Sequence, residues 1–116
     1  MPSESAVFAL RDIAFYIDLA GHFTRGFDFA RFCNDLRTVY AVTRCLEIIS
    51  EASRRLPDEM KARYPSIAWK NMAAAGNVYR HDYEDVAATV GWDTVRLALP
   101  PLRDVVEREL ADLGAA

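Results

Sequence analysis

The sequence predicts an all-α fold, a small antiparallel helical bundle, and three observations carry that prediction. Apolar residues recur at intervals of three and four along most of the chain, the period of an α-helix with one buried face. No stretch shows the strict alternation of a half-buried strand, and there is no internal repeat, low-complexity tract or linker. The 116 residues are 52% hydrophobic and 27% charged, the composition of one globular domain (1–116) with a single modest core.

Ser3 or Ser5 is placed to cap a first helix running to about Gly21. Its stripe is Leu10, Ile13, Ile17 and Ala20, widened by Val7, Phe8, Ala14 and Tyr16, with Asp12 and Asp18 off it. Gly21 and Gly26 bracket a break. Asp28 then opens a short amphipathic piece with Phe29 and Phe32 predicted to face inward. The strongest periodicity lies at about Leu36 to Leu56, where Val39, Val42, Leu46, Ile49, Ser53 and Leu56 keep one face, with Cys45, Ile48 and Ala52 beside them. Arg37, Arg44, Glu47, Glu51 and Arg54 occupy its other positions. Arg37 and Arg44, one heptad apart, share a face suited either to solvent or to lining a pocket, with Glu51 as a further supporting candidate.

Pro57 ends that helix and opens a brief one. Pro65 and Ser66 set up the next, with Ser66 as its predicted N-cap and Trp69 and Met72 as its bulk. Residues Asp82 to Ala87 are predicted as a turn. A last helix from about Ala88 carries Trp92, Val95, Leu99, Leu102, Val106, Leu110 and Leu113 inward. Pro100-Pro101 must kink or split it, because each proline removes an N–H and crowds the preceding turn.

The net charge of −3 gives no global attraction to nucleic acid, so any RNA binding must be local, through a basic patch, a dimer groove or a basic partner. The most apolar stretch, Ile13 to Ala20, is too short and too charged to span a bilayer, and no basic leader with an apolar core opens the chain. Cys33 and Cys45 form neither a CxxC pair nor a metal-ligand cluster. The expectation is a cytoplasmic protein with two reduced thiols, no metal, no cofactor and no membrane association.

The chain's unusual chemistry is concentrated in Gly76-Asn77-Val78-Tyr79-Arg80-His81-Asp82-Tyr83. In a helix, Asn77 and His81 are one turn apart on one face, and Arg80 leans back over Gly76 toward Asn77. An imidazole, a cation and an amide together suit a phosphodiester; a histidine capping a helix end is the plainer reading of the same residue. Glycine inside a helix costs ~1 kcal/mol relative to alanine, so Gly76 asks for a packing or functional reason.

Taken together, these segments resemble the HepT-like branch of the HEPN superfamily. The likeness is carried by Leu10-Arg11-Asp12-Ile13, the Phe23-Thr24-Arg25-Gly26 turn, Cys45 through Pro57, Tyr64-Pro65-Ser66-Ile67-Ala68-Trp69, Gly76-Asn77 through His81-Asp82-Tyr83, Trp92-Asp93-Thr94-Val95 and Leu99-Pro100-Pro101-Leu102. It covers nearly the whole chain in order. The resemblance implies an all-α homodimer with paired sites near its interface. It further implies a metal-independent toxin ribonuclease, encoded with a minimal nucleotidyltransferase antitoxin of MNT type that silences it by AMP transfer to a tyrosine, here Tyr83. His81 would move the proton and Asn77 would bind phosphate or orient the imidazole. The family's arginine is absent from the window Ala74, Ala75 and Gly76. Either Arg80, or Arg44 from the third helix, supplies that cation, or the chain is a weak or inactive subunit that binds the nucleotidyltransferase.

Overall fold

Each apolar stripe has to be covered by another, and the computed structural model shows how. It describes residues 4–74 and 84–114, with backbone alone at 84–87. All the regular structure among the described residues is helical: α1 (Glu4–Phe23), α2 (Phe29–Cys33), α3 (Leu36–Arg54), α4 (Asp58–Ala62), α5 (starting at 69 and described to 74), α6 (Glu84–Asp93), a π turn (Thr94–Ala98) and α7 (Leu99–Asp112). The fold is the all-α bundle that the periodicity predicts.

Helix α1 is the centre, packed against α3 on one side and α7 on the other. Its inner arc of Ala9, Leu10, Ile13 and Ala20 is wholly buried, and so are Val42 and Ile49 of α3 and Leu102 and Val106 of α7. Burying a Leu, Ile or Val side chain is worth ~1.5–3 kcal/mol, so these faces supply the main driving force for the fold. The two aspartates off the α1 stripe point to the flanking helices. Asp12 accepts from Arg55 at the end of α3 (3.3 Å), and Asp18 accepts two bonds from Arg103 of α7 (3.0 and 3.3 Å). These exposed pairs fix register more than they add stability.

The helix ends follow local chemistry. Thr24 closes α1 by donating its hydroxyl to the Ala20 and Gly21 carbonyls (3.0 and 3.3 Å). Gly21 stays helical; the break falls at Gly26, whose φ of 78° a side chain would disfavour. Asp28 and Asp35 cap α2 and α3 by accepting from the N–H groups of Arg31 (2.8 Å) and Thr38 (3.2 Å). We predict that Asp35→Ala costs about 1 kcal/mol, read as a lower urea midpoint at unchanged slope. Pro57 occupies the N-cap of α4.

The predicted last helix is split, and the split has a defined form. Pro100 and Pro101 offer no N–H to the carbonyls one turn back. The backbone widens by one residue, so that the Leu99 N–H donates to the Thr94 carbonyl, five positions earlier. Thr94 in turn donates its hydroxyl to Val90 (2.7 Å).

Several expectations are corrected. Phe8 does not widen the α1 stripe: it is 57% exposed, because Ala6, Ala9, Leu10 and Ile13 already fill the inner arc. Phe29 does not face inward with Phe32: it is 43% exposed, and within a helix of five residues only one of the two rings reaches the core. Ser5 lies inside α1 and so is not its cap. Helix α5 starts three residues beyond Ser66, which is therefore not its N-cap. Residues 84–87 are helical rather than a turn: Glu84 and Asp85 are acidic residue types that suit the positive end of the helix dipole. Both cysteines are free, Cys45 buried and Cys33 half-buried, and burial raises the Cys45 thiol pKa.

Candidate functional site

Helix α5 leads directly into the segment singled out from sequence, and it is held at both described ends. At its start, the Trp69 indole N–H donates to the Lys61 and Tyr64 carbonyls (3.1 Å each), tying α5 to the end of α4. The connection between them is held by α7. Glu109, 3% exposed, accepts from the Tyr64 hydroxyl (2.8 Å) and from the Arg63 guanidinium. Burial and then the bond to Glu109 raise the Tyr64 pKa. The bond to Glu109 also raises that of Arg63, so both groups stay protonated as donors.

At the far end, the Ala73 carbonyl takes three donors from α3: the Ser50 hydroxyl (2.9 Å) and the Arg54 guanidinium through Nε (3.1 Å) and Nη2 (2.5 Å). Ser50 and Arg54 are one helical turn apart, so both reach the same carbonyl. Ser50 sits 1% exposed inside an apolar stripe, and its hydroxyl is matched by this carbonyl. The arrangement puts a guanidinium on α5 three positions before Gly76 in sequence.

Gly76, Asn77, Arg80, His81 and Tyr83 lie outside the described residues. Arg37, Arg44 and Glu51 are described, and all three are exposed on α3. Arg37 and Arg44 form no ion pair among the described residues. The cation that meets α5 is instead Arg54. Sequence reasoning assigned Arg54 to the outer surface and did not single out Ser50 or Glu109. The available signal was a polar residue on an apolar face, Ser50 on α3 and Glu109 among the inward positions of α7. Among the described residues no three His, Cys, Asp or Glu side chains come together to hold a metal ion, and no helix is long and apolar enough to cross a membrane.

A helical bundle in which a serine and an arginine of one helix brace the Ala73 carbonyl of another is the class of architecture that fold and site define. The model of the family described as "Ribonuclease HepT-like" matches residues 13–109, and the chain belongs to that HepT-like, HEPN-type family. Among its relatives is a protein of Thermococcus cleftensis named "Probable ribonuclease HepT", 40% identical over 99 residues, which are 85% of this chain and 90% of that one. Another, "Putative RNase MJ0125" of Methanocaldococcus jannaschii, is 33% identical over 113 residues, 97% of each chain. No solved structure matches the chain.

Proposed function

We propose that this protein is a toxin-type, metal-independent endoribonuclease of a HepT/MntA-like pair. The observation that carries the reading is the family match over residues 13–109, a range that includes Asn77 and His81. The names of the relatives support ribonuclease chemistry at the level of the family.

In the proposed reaction the ribose 2′-oxygen forms a bond to the adjacent phosphorus and the bond from phosphorus to the 5′-oxygen breaks. The products are a 2′,3′-cyclic phosphate and a 5′-hydroxyl. His81 takes the 2′-hydroxyl proton or delivers one to the leaving oxygen, roles that an imidazole with a reference pKa of ~6.5 suits near neutrality. Arg80 stabilises the charge on the phosphorane, and Asn77 binds the phosphate or orients the imidazole. The site forms in a homodimer, for which Phe8 and Phe15, 57% and 60% exposed and two turns apart on the outer face of α1, offer apolar surface.

The partner is a nucleotidyltransferase antitoxin that transfers AMP from ATP to the Tyr83 hydroxyl, releasing pyrophosphate. The added bulk and negative charge repel the RNA phosphate. Mass spectrometry of protein co-expressed with that partner should show AMP on Tyr83; unmodified yet neutralised protein contradicts this step.

The lack of an arginine at positions 74 to 76 favours one second reading, a weak or inactive subunit that works by binding the nucleotidyltransferase. Expression in cells separates the two. Growth arrest by the wild type that His81→Ala abolishes supports the nuclease; equal harmlessness of both supports the binding subunit.

A further inference from the structure

The turn between α1 and α2 lies against the π turn that precedes α7, and the two bring guanidinium groups and aromatic rings together on one surface. Arg96 donates to the Phe27 carbonyl (3.0 Å) and holds its guanidinium 4.4 Å over the Trp92 ring. Arg31 lies 3.9 Å over the Phe27 ring. Phe29, 43% exposed, packs tilted against Trp92 at 6.2 Å. Cations and rings therefore interleave across this face. Beside it are two open, adjoining cavities of about 500 and 420 Å³, and Arg25 lines both. Arg96 lines one of them, and His22 and Arg103 line the other.

Of the nearby acids, Asp18 shares Arg103 with Glu107, Asp28 caps α2 by accepting from the Arg31 N–H, and neither Asp28 nor Asp93 forms an ion pair among the described residues. Arg25, Arg31 and Arg96 form no ion pair among the described residues. Three guanidinium groups thus project positive charge from a chain whose net charge is −3. A guanidinium has five donors and Arg96 spends one of them on Phe27, which leaves donors for an anion. An acidic protein surface needs only the charges. The alternating rings add what a polynucleotide requires, since bases stack on aromatic faces while phosphates meet arginines.

We propose that Arg25, Arg31 and Arg96, with Phe29 and Trp92, form a binding track for single-stranded RNA, built from residues other than those of the 76–83 segment. The choice of RNA rests on the ribonuclease reading. The track explains how an acidic protein holds a polyanion: locally, on one face, and with marked sensitivity to salt.

The test is fluorescence anisotropy of the full-length protein with a labelled, fully 2′-O-methylated single-stranded oligonucleotide, which blocks 2′-oxygen attack and so separates binding from cleavage. The Arg25 side chain forms no hydrogen bond or ion pair among the described residues, so Arg25→Glu is the cleanest variant, and melting temperature checks all of them. Arg25→Ala with Arg31→Ala should reduce the dependence of log affinity on log salt by about 1.4, two single-strand phosphate contacts. Phe29→Ala should weaken binding roughly five- to a hundred-fold and leave that slope unchanged. Wild-type binding that Arg25→Glu, the Arg25/Arg31 pair and Phe29→Ala all leave intact overturns the track, as does wild-type protein that fails to bind the probe. Variants that keep RNA binding but lose co-purification with the nucleotidyltransferase assign the face to a protein and also overturn it. Cleavage of the unmodified strand by the same preparations tests the ribonuclease reading independently: cleavage with unaffected variants sinks only the track, and weakened variants without cleavage sink only the nuclease.

Discussion

His81→Ala is expected to lower the rate of RNA cleavage by ~10²–10⁴-fold, the usual contribution of a positioned general acid or base. Alanine removes the one group assigned to carry the proton, and an effect on catalysis alone leaves the melting temperature close to that of the wild type. Single-turnover cleavage of a defined single-stranded RNA, with thermal unfolding of the same samples, measures both quantities. A variant that cleaves within about threefold of wild type places the proton transfer on another residue. Arg80→Ala belongs in the same series. Loss of a group that stabilises transition-state charge costs ~2.7–4 kcal/mol, a hundred- to thousandfold in rate, if Arg80 supplies the cation missing from positions 74–76.

The largest effect on stability is expected at Phe32. Its ring is fully buried, although it comes from a helix of only five residues. It packs 5.4 Å from Trp92, and its edge lies against Gly91, where an added methyl would meet it at 3.8 Å. One side chain therefore joins α2 to α6. Phe32→Ala should cost ~3–5 kcal/mol, from lost transfer energy and the cavity left behind. That is a large share of the ~5–15 kcal/mol available to a domain of this kind. Denaturant unfolding should show it as a lowered midpoint, and Phe32→Leu should recover part of the loss. A cost below about 1 kcal/mol would mean that α2 contributes little to the core. The same substitution should weaken RNA binding on the proposed track, because Phe32 packs against Trp92.

The inner faces of the helices were legible because burial imposes a period that few other constraints imitate. Val39, Val42, Leu46, Ile49 and Leu56 were placed correctly, as were Leu99, Leu102 and Val106. The misplacements have a common physical origin. A bulky apolar residue is permitted at the surface, so Phe8 and Phe29 near an apolar stripe carried no signal of their exposure. A polar residue on an apolar face announces that it needs a partner without saying which. Ser50 and Glu109 therefore met the Ala73 carbonyl and the Arg63–Tyr64 pair only in three dimensions. The proline pair foretold a break, but the π turn depends on which carbonyl the Leu99 N–H finds. In the candidate site, the spacing of Asn77 and His81 was readable from the chain. The brace on α5 was not, because Arg54 is separated from Ala73 by 19 positions in sequence.

The central claim is that His81 and a neighbouring cation act together on one ribose-phosphate linkage without a metal. End-group analysis of RNA incubated with the purified protein in excess chelator tests it most directly. The account predicts 2′,3′-cyclic phosphate and 5′-hydroxyl ends that disappear in His81→Ala. Intact RNA, or ends bearing a 5′-phosphate and a 3′-hydroxyl, would contradict it.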